Sequence, residues 1–130
     1  MFIADADVLI DFLRGAGQAE RIAIELGTGR LCTTAITAFE LWAGSKSPQQ
    51  VAAVGSLLDA VTIRPLDVPS ARRAGEIRRG LESAGVTIGM ADSLIAGIAV
   101  SHDAILIARN RRPYERISGL KLSHRFSERE

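Results

Sequence analysis

The sequence predicts an α/β fold built on a parallel sheet covered on both faces. Short apolar runs of strand character, FIA, LCTT and AILIA, alternate with segments whose apolar residues recur at helical spacing. Polar residues stand directly behind two of these runs. Asp5 follows FIA, and Asn110 follows AILIA and Arg109. In open parallel sheets the binding crevice lies beyond the carboxyl ends of the strands.

The elements follow in order. Phe2–Ala4 reads as a strand running into a helix, with Val8, Leu9, Phe12 and Leu13 as its apolar stripe and Gly15 as its stop. A second helix is expected over Ala19–Leu26, ended by Gly27. LCTT (31–34) has β character, and Thr34 or Thr37 caps a helix through ITAFELWAG. Pro48 starts another helix, with Val51, Val54, Leu57 and Leu58 at helical spacing. VTIRPL (61–66) reads as a strand that stops near Pro65. Pro69 and Ser70 open a long helix through Ala74, Ile77, Leu81 and Ala84. The next helix spans about Met90–Ser101, and AILIA (104–108) is a buried strand. A turn or short helix around Pro113 and an edge strand at LKLSH complete the chain.

With 130 residues, 47% of them apolar, the expectation is one domain, residues 1–130, with a sizeable core. No apolar stretch approaches the roughly 20 residues of a membrane-spanning helix. Asp5 and Asp7 interrupt the only signal-like run, so a cytoplasmic protein is expected. The single cysteine, Cys32, sits in an apolar run and reads as a buried structural thiol. Net charge is +1 but unevenly spread. Residues 1–62 carry four Lys/Arg against seven Asp/Glu, and residues 63–130 twelve against eight. The basic segment RNRRPYERISGLKLSHR is either a solvated face or a phosphate-attracting surface.

Three acids stand on apolar helix faces. Glu40 shares a face with Ile36, Ala43 and Gly44, and Asp92 with Ile95, Ala96 and Ala99. Asp5 aligns with Val8, Leu9 and Phe12. Each has an ordinary explanation: a cap at Asp5, an arginine partner for Glu40, a cap or first-turn acid at Asp92. Taken together, one hard divalent cation at the strand ends would satisfy all three, because burying unpaired carboxylates is costly. Oxygen ligands without His or Cys point to Mg²⁺ or Mn²⁺. His102 and His124 lie outside these clusters. Asp11 reads as a surface residue paired with Arg14 one turn on. Trp42 reads as core packing, with a partner-facing anchor as the alternative. Arg14, Arg109, Arg111 and Arg112 are plain surface charge or guides for a phosphate backbone.

The blocks FIADADVLIDFLRG, ITAFELWAGS, IGMADSLIAGIAV and ILIARNRRPYERISGLKL, in this order, resemble the PIN domain. They look most like its small bacterial toxin branch, the VapC type of toxin–antitoxin module. The resemblance implies a single α/β/α sandwich around a mainly parallel sheet. It implies a Mg²⁺- or Mn²⁺-dependent endoribonuclease that leaves 3′-hydroxyl and 5′-phosphate ends, a cognate antitoxin that blocks the site, and a homodimer or higher toxin–antitoxin assembly. It carries catalytic roles to Asp5, Glu40, Asp92 and Asn110, with Asp5 and Asp92 as metal ligands. Asp7 stands where such toxins commonly have Asn or Ser, and Pro113-Tyr114 where Asp-Phe or His-Phe is common. Asn110 cannot act as a base near neutral pH, so Glu40 or Asp7 is expected to take the proton.

Two other readings start from the same aspartates. A haloacid-dehalogenase-type phosphohydrolase would use Asp5 as nucleophile. It also needs a lysine and a late Asp-Asp pair; Lys46 and Lys121 are the only lysines, and no such pair exists. A receiver-type signalling domain needs an aspartate at the end of a middle strand, but its nearest candidate, Asp59, sits in the helical stretch SLLDA.

Overall fold

The structure is a computed structural model and describes residues 1–17 and 19–123. Its elements are β1 (Phe2–Ala4), α1 (Ala6–Leu13), α2 (Ala19–Gly27), β2 (Leu31–Thr34), α3 (Ala35–Ala43) and α4 (Pro48–Ala60). β3 (Thr62–Arg64), α5 (Val68–Ser83), α6 (Met90–Ser101), β4 (Ile105–Ile107), a 3-10 turn at Arg112–Tyr114 and β5 (Lys121–Leu122) follow. The five strands are all parallel, in the order β3-β2-β1-β4-β5. The α/β expectation is met. His124 and the outer end of LKLSH lie outside the described residues.

Successive side chains of a strand point to opposite faces, so each central strand feeds two cores. Ile3 and Leu106 enter one, with Ile95, Ile98 and Ala99 of α6 and Leu81 of α5. Ala4 and Ile107 enter the other, with Val8 and Leu9 of α1, Ile22 of α2, and Leu57 and Leu58 of α4. Helices on both faces explain why these strands read as unbroken apolar runs. Cys32 is buried and free, as expected. Among the described residues, no helix is long and apolar enough to cross a membrane.

The local stops follow the chemistry. Gly15, at φ 65°, adopts the left-handed turn after α1 that a side chain would resist. Thr34 caps α3, its Oγ1 accepting from Thr37 N–H at 3.0 Å. α5 starts at Val68 rather than Pro69, because Asp67 caps it by accepting from Ser70 N–H at 2.9 Å. β1 and β4 are neighbours, and the connections that leave their carboxyl ends run in opposite directions along the sheet, to β2 and to β5. That divergence opens a crevice beside Asp5.

Candidate active site

β1 hands over directly to α1 at Asp5, whose backbone is extended at φ −81° and ψ 168°. Its Oδ1 accepts from Ala6 N–H at 2.8 Å, and its own N–H donates to Ile107 O at 2.9 Å. The cap expected of Asp5 is therefore real, and it aims the residue at the crevice. Thr33 strengthens the corner by donating from Oγ1 to Ala4 O at 2.8 Å. Glu40 comes from α3, which springs from the end of β2. Asp92 lies in the first turn of α6 behind the capping position, Gly89, which offers no side-chain cap.

Asp5, Asp7, Glu40, Asp92, Asn110, Pro113 and Tyr114 line one cleft of about 180 Å³. The sequence-predicted site residues thus share one cleft. Burial raises the Asp5 carboxyl above its usual range, and Asp7 and Asp92 add repulsion, while bonds from Tyr114 and Ala6 act against the rise. Glu40 is raised in the same way, first by burial and then by the charges of Asp5, Asp92 and Asp7. Among the described residues, no Lys, Arg or His forms an ion pair with Asp5, Glu40 or Asp92. The arginine partner considered for Glu40 is therefore not found among them.

Asp7 does something the sequence did not suggest. Its Oδ1 accepts from Arg109 N–H at 3.2 Å and its Oδ2 from Asn110 N–H at 2.8 Å. It clamps the turn after β4 onto the start of α1 and sets Asn110 at the cleft. The residue missed outright is Tyr114. Its ring is buried, and its hydroxyl lies 2.7 Å from Asp5 Oδ2 and 3.2 Å from Asp92 Oδ1. One signal was available: a tyrosine where the resemblance has a phenylalanine, since a buried phenol needs a polar partner.

Three expectations are corrected. Asp11 is buried and accepts from Arg109 Nη1 on both oxygens, at 2.7 and 2.9 Å, instead of pairing with Arg14 at the surface. Trp42 is 47% exposed rather than core, because the buried side of α3 is formed by Thr37, Ala38 and Leu41. Val51 of α4 is also exposed, leaving Val54, Leu57 and Leu58 as the buried stripe. Of the four arginines singled out, Arg109 is bound to Asp11 and Arg111 donates to Ser123 O, while Arg14 and Arg112 are exposed. Asp59 lies in α4, so the placement a receiver domain needs is absent.

The donor set suits a hard cation. It consists of carboxylate, amide and hydroxyl oxygens, and its acids are raised by burial and mutual repulsion. Among the described residues, no three acids, histidines or cysteines are drawn close enough to enclose a bare ion. The expectation that one ion satisfies Asp5, Glu40 and Asp92 together is therefore not met by direct ligation; an ion that takes one or two carboxylates and keeps its waters needs no such group.

A model of the PIN domain matches residues 2–120. The chain is 32% identical over 111 residues to ribonuclease VapC10 of Mycobacterium tuberculosis, covering 85% of this chain and 83% of that one. It is 29% identical over 125 residues to the tRNA(fMet)-specific endonuclease VapC of Salmonella typhimurium, covering 93% and 95%. The DNA-bound VapBC structure from Salmonella typhimurium matches with a TM-score of 0.84 at 29% identity, over 94% of this chain and 96% of that one. VapC nucleases with this domain generally depend on a divalent metal.

Proposed function

Because the chain belongs to the PIN domain family, we propose that it is the endoribonuclease toxin of a toxin–antitoxin pair. The observation that carries this reading is the convergence of Asp5, Glu40 and Asp92 on one cleft without a cationic side chain to neutralise them. Asp5 and Asp92 would hold the metal, Mg²⁺ or Mn²⁺. When bound, the ion supplies Lewis-acid polarisation of a phosphate oxygen and acidifies water.

Glu40 takes the proton from the water that attacks phosphorus. Its raised carboxyl brings it closer to the pH at which a base is most effective. Asp7 is a poorer candidate, since both its oxygens already accept backbone N–H groups. The water oxygen bonds to phosphorus as the bond to the 3′ oxygen breaks, and that oxygen takes a proton from solvent water, leaving a 3′-hydroxyl and a 5′-phosphate. Asn110 stands at the cleft as a neutral amide, able to orient a phosphate or a water but not to deprotonate it. Arg14, exposed in the groove that shares Glu40 with the cleft, and Arg112, exposed beside Pro113, attract the backbone.

The partners are RNA and a cognate antitoxin, and the site of action is the cytoplasm. An apolar groove lined by Ile10, Leu13, Leu41 and Val54 shares Glu40 with the acidic cleft, which supports a protein partner seated against the site. Phe39 and Trp42, exposed on α3, support contact with a second copy.

Asp5→Asn and Asp92→Asn test the reading. Each is expected to lower RNA cleavage by more than about 100-fold, since even outer partners of metal ligands are worth 10–100-fold. Far-UV circular dichroism should be unchanged. Full cleavage by both variants would overturn the proposal.

A further inference from the structure

We propose that Tyr114 is a positioning residue: its hydroxyl bridges Asp5 and Asp92 and sets both carboxylates to receive a divalent cation. This rests on the metal-dependent reading given above. The ring is 1% exposed and is held in the core shared with Leu106 and Ile117. Its hydroxyl reaches the two acids of the cleft from a 3-10 turn that belongs to neither α1 nor α6. A phenol has one proton and here faces two acceptors. The shorter bond, 2.7 Å, gives that proton chiefly to Asp5 Oδ2, and Asp92 Oδ1 at 3.2 Å shares it.

The consequences differ for the two acids. Asp5 has Oδ1 on Ala6 N–H and Oδ2 on Tyr114, so its carboxylate plane is fixed from both ends. Among the described residues, Asp92 accepts from Tyr114 on Oδ1, and its Oδ2 is left for another ligand. Each carboxylate oxygen has two lone pairs, so the hydroxyl does not exclude an ion. A lysine or arginine in the same place would neutralise the pair and remove the attraction for a cation. A neutral donor orients two anions while leaving their charge intact. A tyrosine hydroxyl ordinarily keeps its proton at neutral pH, so it serves as a donor here.

Tyr114→Phe keeps the ring and removes the hydroxyl. Mn²⁺ binding, followed by the electron paramagnetic resonance signal of free Mn²⁺, is expected to weaken about tenfold in this variant. Its urea midpoint should stay near that of the wild type. Equal or tighter Mn²⁺ binding would overturn the proposal. Tyr114 is the chain's single tyrosine, so 3-fluorotyrosine gives one ¹⁹F resonance. That resonance should move on Mg²⁺ addition in the wild type and stay still in Asp92→Asn; a wild-type signal indifferent to Mg²⁺ would also overturn it. Wild-type protein that binds no Mn²⁺ would remove the metal reading itself, a result distinct from equal binding by wild type and Tyr114→Phe.

Discussion

Asp5, Asp7 and Asp11 occupy one short stretch, and each does different work. Asp5 faces the cleft, Asp7 holds the turn after β4, and Asp11 is bound by Arg109. The last pair is asymmetric: the Asp11 side chain is 7% exposed and that of Arg109 is 60% exposed. Arg109→Ala leaves a buried carboxylate unpaired and is expected to cost about 1–3 kcal/mol. Asp11→Ala should cost less, because the arginine can turn to water. Urea denaturation of the two variants checks this, and equal losses would contradict it. The loop after α1 closes over the same carboxylate. At Gly17 the backbone has φ 54°, and an added Cβ would lie 2.6 Å from Asp11 Oδ2.

At the scale of elements, the tightest join is α5 against α6. A Cβ at Gly97 would lie 2.6 Å from Ser70 O and 2.7 Å from both the Cβ and the backbone nitrogen of Ala74. Backbone cannot yield as the tip of a side chain can. Gly97→Ala, normally a favourable change inside a helix, is therefore expected to destabilise by about 1–3 kcal/mol through overpacking. Chemical denaturation would show it, and a neutral or stabilised variant would rule out the close approach. The same join sets α6, and hence Asp92, in front of β1. Gly97→Ala should therefore disturb the site from about one and a half turns along the same helix.

For the molecule as a whole, the site works against folding. With Asp5 and Glu40 raised above their ordinary values of 3.8 and 4.5, the folded chain holds more protons than the unfolded one in the window above those values. Their stabilising effect is complete below that window and fades as pH rises through it. Asp67 has the opposite sense: its bonds to Ser70 lower its carboxyl, and its contribution is lost as pH falls through the lowered value. The metal-free protein should therefore melt at a higher temperature near about pH 5 than near about pH 7. A divalent cation at pH 7 should raise the melting temperature and narrow the difference. Melting curves with and without Mn²⁺ test both, and a lower melting temperature at pH 5 would contradict the sign.

The sequence by itself determined the α/β class, nearly every helix and strand, and the standing of Asp5, Glu40 and Asp92 on apolar faces; Asn110 was picked out by its place behind a strand and by the resemblance. Those features are written in local periods, in caps and stops, and in acids on apolar faces, where the cost of burial makes them conspicuous. The tertiary structure alone decided where Asp11, Asp7 and Tyr114 point. Arg109 is 98 residues from Asp11, Asn110 is 103 from Asp7, and Tyr114 is 109 from Asp5. Contacts of that separation leave no periodic trace, because they depend on which parallel strands lie side by side. Trp42 was misplaced for a related reason. Helical spacing defines a stripe, but only packing against a neighbour decides which residues at its margin are covered.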